Sequence, residues 1–315
     1  MTDVNYIFLL SLSIIALGYV IKRLNIITEE NGKVVAKIIF NVTLPAVILK
    51  VTSSIEFSLS LLILPLINIC FGFFMAGIGM IIFRNQPNKQ KGLVLISLIG
   101  FNVAHFSFPL IEGIYGEEGL QYIALVDAGN AFTIFVFCYV VGLIFSQNGE
   151  PSNGEKIKSV DYKHIAKRLI RSAPLLSYIA ALVINFSGLS IPMFVGDLLD
   201  VFYRANTALS LLLLGIYLNF RFEKSEWATI LKVLVMRYSF GLVLGLSLFF
   251  LLPPQNFPHL MRIIIVISLI LPVGLAVIPF SVEFRYNEKL ISIIVNLTII
   301  ISFALMWILI LLLEG

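Results

Sequence analysis

The sequence predicts an all-α integral membrane protein of about ten transmembrane helices, arranged as two five-helix halves of inverted topology. Three observations predict it. The first is composition: of 315 residues, 59% are hydrophobic and only 13% are charged, whereas soluble domains carry about 25% charged and about 45–50% apolar residues. The second is recurrence. Apolar runs return about every 25–30 residues, each sufficient for a span of roughly 20 residues. Alternating apolar–polar segments of about ten residues, the mark of an outer-membrane barrel, are absent. The third is a pair of interrupted runs. Ser97–Tyr115 (SLIGFNVAHFSFPLIEGIY) holds Asn102, His105, Ser107 and Pro109, and Ser268–Phe284 (SLILPVGLAVIPFSVEF) holds Pro272, Gly274 and Pro279. Two broken apolar segments at corresponding places in two halves point to a transporter's binding site.

Taken in order, spans are expected near 5–22, 34–53, 58–83, 92–115, 119–145, 173–190, 193–219, 227–252, 259–282 and 289–312. The start of the chain has Asp3 and no basic residue before the first run, while Lys22 and Arg23 follow it. That is the reverse of a signal peptide's charge order. The first, third, fifth, seventh and ninth connections carry the basic residues: Lys22, Arg23 and Lys33; Arg84, Lys89 and Lys91; six between Lys156 and Arg171; Arg221 and Lys224; Arg285 and Lys289. The opposite connections are nearly free of Lys and Arg. The positive-inside rule puts the basic side in the cytoplasm of a cell (inner) membrane and both termini outside.

The longest connection divides the chain into a first repeat, 1–145, a basic cytoplasmic loop, 146–172, and a second repeat, 173–315. Its YKHIAKRLIRS stretch reads as an amphipathic helix at the lipid surface. An odd number of spans in each half inverts the second half. Sliding the sequence by about 170 residues tests the repeat. Ser97-Leu98-Ile99 then falls near Ser268-Leu269-Ile270, Asn102 on Pro272 and Pro109 on Pro279, but Asn130 falls on Ile300. Pro109, which has a counterpart, reads as architectural. His105 and Ser107 face Leu275 and Val277, so the first half is expected to carry more of the polar recognition.

The polar residues within spans are the candidates for chemistry. Proline lacks an N–H and clashes with the preceding turn, and freed backbone groups in a bilayer must find protein or water. Asn102 and Ser107 flank the break in span four and suit either backbone repair or a ligand carboxylate, which a half-helix N-terminus would also attract. His105 suits a proton carrier or a hydrogen-bonded packing residue. Asn41 lies beside Pro45, which is expected to kink span two; it contacts substrate or repairs backbone. Asp127 and Asn130 share a helical face at i, i+3. Asp127 either titrates or coordinates a cation, or it pairs with an intramembrane arginine. Arg204 lies about 18 Å along span seven from Pro192. It either pairs with Asp200 at i, i+4 or anchors an anion, and Arg237 either anchors an anion or snorkels. Lys50 and Arg262 are expected to snorkel at the outer face. Glu112, Glu117 and Glu118 are expected in a solvated outer turn. Cys70 and Cys138 read as buried hydrophobes rather than a disulfide.

The stretch GFNVAHFSFPLIEGIYGEEGLQYIALVDAGN, with Asn102, Pro109, Leu110, Tyr115 and Gly116, resembles the fourth and fifth spans of the auxin efflux carrier family, which includes bacterial malonate and malate permeases. Phe40–Leu49 (FNVTLPAVIL) resembles its second span. Ile191-Pro192 followed by ALSLLLLGIYL resembles its seventh, and Leu271–Gly274 (LPVG) resembles the Pro-x-Gly of the ninth span in plant PIN carriers. The resemblance implies two inverted five-helix repeats, with broken helices four and nine crossing between a scaffold and a transporting bundle. Its crossing prolines map to Pro109 and to Pro272 or Pro279. His105 and Ser107 depart from the family pattern.

These readings together lead to an expected function. The chain is a secondary transporter of a small organic anion, a mono- or dicarboxylate, by alternating access. Asn41, Asn102, His105, Ser107, Asn130, Gly274 and Arg204 are the candidate substrate residues. Pro45, Pro109, Pro272 and Pro279 are the helix-crossing candidates, and His105 and Asp127 the coupling candidates, for H+ or Na+. The partners are the anion and the lipid bilayer, with a homodimer left open and no nucleic acid. The alternative is a membrane ligand sensor or assembly subunit without transport. No phosphate loop, CxxC, HExxH or nucleophile–base arrangement occurs, so neither an enzyme, a cofactor nor a metal site is expected.

Overall fold

The computed structural model describes residues 2–147, 172–219 and 226–314. The basic stretch predicted as an amphipathic surface helix, and Arg221 and Lys224, lie outside the described residues. Among these residues the chain is helical, with no strand and one isolated β-bridge. Helix α1 is Thr2–Arg23. Helix α2 is Glu29–Ser53 and α3 is Leu59–Ile82. Helix α4 is Asn88–Ile99. A helical run then begins at Val103 and bends at Gly116 (φ 64, ψ −149), giving α5 (103–115) and α6 (117–147). Helices α7 (Ala173–Ser187), α8 (Met193–Tyr217), α9 (Trp227–Leu251), α10 (His259–Leu269), α11 (Val277–Glu283) and α12 (Glu288–Glu314) follow.

Seven of these helical stretches are long and apolar enough to cross a membrane. That is fewer than the expected ten, for physical reasons. Val103–Ser146 counts as one stretch of 44 residues although Gly116 breaks it. The expected spans 92–115 and 259–282 are each interrupted, so neither is a single long helix. Ala173–Ser187 is apolar but short. The exterior is apolar as well: Leu9, Phe73, Ile81, Val183, Val201, Val235, Val243 and Phe250 are all more than 45% exposed. Water would penalise such a surface, whereas lipid matches it.

Helix boundaries follow local chemistry. Thr28 caps α2 with a reciprocal pair, its hydroxyl accepting from the Asn31 N–H and its own N–H donating to the Asn31 amide oxygen. Gly188, left-handed at φ 66, ends α7. Two prolines sit inside helical runs without breaking them. A π-turn, Ile39–Thr43, immediately precedes Leu44-Pro45, and another, Val103–Ser107, immediately precedes Phe108-Pro109. The wider turn accommodates the ring and the missing N–H, so each proline falls in the first turn of a new α segment.

Helices α1, α2, α7 and α8 pack on one another, and α3, α4, α6, α9, α10 and α12 form a second group. The α1–α8 seam is closed by glycines. A Cβ at Gly215 would lie 2.0 Å from the Ile15 carbonyl oxygen, and one at Gly18 would lie 2.3 Å from that of Leu212. Small residues let helix backbones approach this closely in lipid. A buried bond from the Thr43 hydroxyl to the Asn206 amide oxygen, 2.9 Å, ties the α2 π-turn to α8.

Candidate functional site

The two interrupted segments meet. Helix α4 stops at Ile99 because Gly100 is extended (φ −96, ψ 152), and α10 stops at Leu269 before the irregular residues 270–276. Phe101 and Val273 form an antiparallel bridge. The Asn102 N–H donates to the Pro272 carbonyl at 2.8 Å, and the Gly274 N–H donates to that of Gly100 at 3.4 Å. Gly274 has no room for a side chain: a Cβ there would lie 2.6 Å from Ile134 Cδ1 and 3.1 Å from the Phe101 carbonyl oxygen. The crossing is therefore made by Gly100–Asn102 and Leu271–Gly274. Of the four prolines predicted to cross, Pro272 is in it. Pro45, Pro109 and Pro279 lie within helical segments instead. For the first two, the π-turns described above explain why.

Unwinding two helices inside an apolar body exposes N–H and C=O groups that cost about 1–3 kcal/mol each if left unpaired. Side chains satisfy them. Asn130 takes both groups of Phe101, its amide oxygen accepting from the N–H at 3.1 Å and its NH2 donating to the C=O at 2.9 Å. On the other segment, Thr298 accepts from the Val273 N–H at 3.1 Å and Ser302 donates to the Ile270 carbonyl at 2.7 Å. Arg237, fully buried on α9, spans both segments. Its guanidinium donates to the carbonyls of Ser97, Leu98 and Gly100 on one side and of Leu271 and Pro272 on the other, at 2.9–3.2 Å. It also lies 4.0 Å from the centre of the Phe101 ring. Arg237 therefore neither snorkels nor holds an N–H free for an anion.

The remaining predicted residues divide by what their side chains touch. The Asn102 NH2 is buried at the start of α5 with no hydrogen-bond partner, and the residue is only 3% exposed. His105 is half-buried in the π-turn that follows. The Ser107 hydroxyl donates to the Val103 carbonyl at 2.7 Å, and the exposed Asn41 donates to the Lys37 carbonyl at 2.8 Å; both bonds repair backbone around a π-turn. Asp127 is buried, and its hydrogen-bond partners are Tyr178 at 3.1 Å and Asn130 at 3.4 Å rather than an arginine. Arg204 is exposed, and Asp200 does not pair with it. Asp200 binds Lys50 instead, whose ammonium lies over the Tyr203 ring. Lys50 is thus paired rather than snorkelling. Glu112 is half-buried, accepting from the Thr207 hydroxyl at 2.6 Å, not free in a solvated turn. Cys138 is buried while Cys70 is exposed. No group of His, Cys, Asp or Glu among the described residues could hold a metal ion.

Two features escaped sequence reasoning. Asn68 on α3 is wholly buried with neither amide atom partnered. It lies three residues before Phe71, whose ring is 5.8 Å from that of Phe101. An asparagine inside an apolar run was a usable signal. The Thr298 and Ser302 pair was the other, since hydroxyls at i, i+4 in span ten face the second break.

Comparison with known proteins identifies the family. A family model described as membrane transport protein matches residues 7–310. An uncharacterized transporter of Methanocaldococcus jannaschii is 26% identical over 223 residues, covering 68% of each chain. An uncharacterized transporter of Methanothermobacter thermautotrophicus is 27% identical over 224 residues, covering 69% of this chain and 68% of its own. The chain belongs to this family of multi-pass membrane transport proteins, the auxin efflux carrier family.

Proposed function

We propose that the chain is a secondary transporter of a small organic anion, a mono- or dicarboxylate, which binds beside the crossing of the two broken segments. The observation that carries this reading is the unpartnered Asn102 amide at the start of α5. Asn130, Thr298, Ser302 and Arg237 are all spent on the backbone of the crossing, but this donor is not. Beside it, the first N–H groups of α5 have no side-chain cap, and a helix start with free N–H groups favours an anion. A buried NH2 without a partner costs about 1–3 kcal/mol, a cost that a ligand carboxylate would remove. Asn130 and Ser107 then act by holding the backbone, and Gly274 by permitting close approach. His105 is half-buried and lies one turn further along α5.

Ten spans in two inverted repeats, 1–145 and 173–315, suit this reading, with the basic 146–172 loop in the cytoplasm and both termini outside. Antiparallel pairing of Phe101 with Val273 is what two breaks related by inversion would give. The group α1, α2, α7 and α8 serves as scaffold, and the group carrying the crossing moves against it. Asp127, buried without a cation beside Tyr178 of the scaffold group, is the carboxylate best placed to carry a proton between the groups. Carboxylate uptake into proteoliposomes tests the site. Uptake should fall at least tenfold in Asn102→Ala, and unchanged uptake in that variant would refute it.

A further inference from the structure

Helices α4 and α10 both aim their C-terminal ends at the crossing. A helix end concentrates unpaired carbonyls and about half a negative charge. Two such ends facing each other in an apolar interior repel and need a cation. In broken-helix transporters, half-helix C-termini and unwound carbonyls form the donor set that takes alkali ions. Here Ser97, Leu98, Gly100, Leu271 and Pro272 supply five carbonyl oxygens from the two segments, and all converge on the Arg237 guanidinium. No acidic side chain is among its hydrogen-bond partners, so its counter-charge is backbone alone. The aromatic face of Phe101 closes one side at 4.0 Å.

We propose that Arg237 is a tethered cation. It fills, from α9, a monovalent-cation site built by the two half-helix ends, so the crossing takes no free sodium or potassium. Arginine suits the task because its planar fork offers five N–H groups for five carbonyls, whereas an ammonium offers three. The tether also fastens α9 to both broken segments, so the three move as one body. Arg237 is a positioning residue: it touches the backbone that shapes the anion site, not the anion.

Thermal unfolding of the purified protein tests this, in sodium, potassium, choline or guanidinium chloride at equal millimolar concentration. Wild type should unfold at the same temperature in all four. Arg237→Ala should lose at least about 5 °C and regain part of it saturably with guanidinium but not with choline. Sodium-dependent stability of the wild type, a wild-type melting temperature in Arg237→Ala, or a destabilised Arg237→Ala that no small cation rescues would each overturn the proposal. Should Arg237→Ala fail to fold, Arg237→Lys and Arg237→Gln decide. Lys retains the charge and should be the more stable, and Gln equal to or above Lys would refute a cationic role. Wild-type carboxylate flux should also be equal in sodium, potassium and choline. That arm alone rests on the transport reading, so a failure of transport leaves the stability arm standing.

Discussion

Asn130 and Arg237 satisfy the same broken backbone by different chemistry. Asn130 offers one donor and one acceptor, which is what an isolated peptide unit such as Phe101 needs. Arg237 offers donors only, which is what helix C-termini need. Asn130→Ala would leave a buried N–H and C=O unpaired, so it should cost about 2–4 kcal/mol, read as a lower midpoint in thermal unfolding. A near-wild-type midpoint would mean that the Phe101 peptide unit finds another partner. Asp127→Asn keeps the hydrogen bonds to Tyr178 and Asn130 while removing the titrating group. If Asp127 carries the coupled proton, the variant should fold normally yet lose all stimulation of uptake by an imposed pH gradient. Stimulation equal to wild type would exclude it. These residues were visible in the sequence as polar groups in apolar runs, but their partners were not. In the sequence Asp127 reads either as a titrating or cation-coordinating group or as the partner of an intramembrane arginine, and its partners are Tyr178 and Asn130. Arg237 instead binds the carbonyls of two segments, one 137–140 residues earlier in the chain and one 34–35 residues later.

At the scale of elements, prolines were the signal in the sequence and glycine was the site of the break. Pro45 and Pro109 suggested interruption, yet π-turns at Ile39–Thr43 and Val103–Ser107 carry the chain through both. The interruption lies at Gly100, whose extended backbone starts the bridge to Val273. The second break was legible from Leu271–Gly274 itself. Gly274 is the tightest point of the crossing, so Gly274→Val should push the two segments apart and lower both stability and uptake. A variant with normal uptake would show that the bridge is not required. The α1–α8 seam makes a parallel case. Gly215→Leu places a side chain against the Ile15 carbonyl and should lower the unfolding temperature by several degrees, whereas no change would mean that these helices separate without cost.

For the whole molecule, composition alone determined the membrane class, because a chain with so few charges and so apolar an exterior has no stable arrangement in water. In the slide of the sequence on itself, self-similarity is visible at the two breaks and weak elsewhere. The residue facing Asn130 in the slide is Ile300, while the side chain that holds the second break is Thr298, two positions away. Equivalent roles need not occupy equivalent positions when a hydroxyl replaces an amide. The described helices nonetheless bring both breaks to one place and leave the Asn102 amide donor unpaired at the start of α5. The central claim, that this donor meets a carboxylate, is tested most directly by Asn102→Asp. The change keeps the shape and sets a negative charge where the anion would bind. Reconstituted into proteoliposomes as a folded protein, this variant should take up no mono- or dicarboxylate that the wild type transports. Uptake at the wild-type rate would contradict the account.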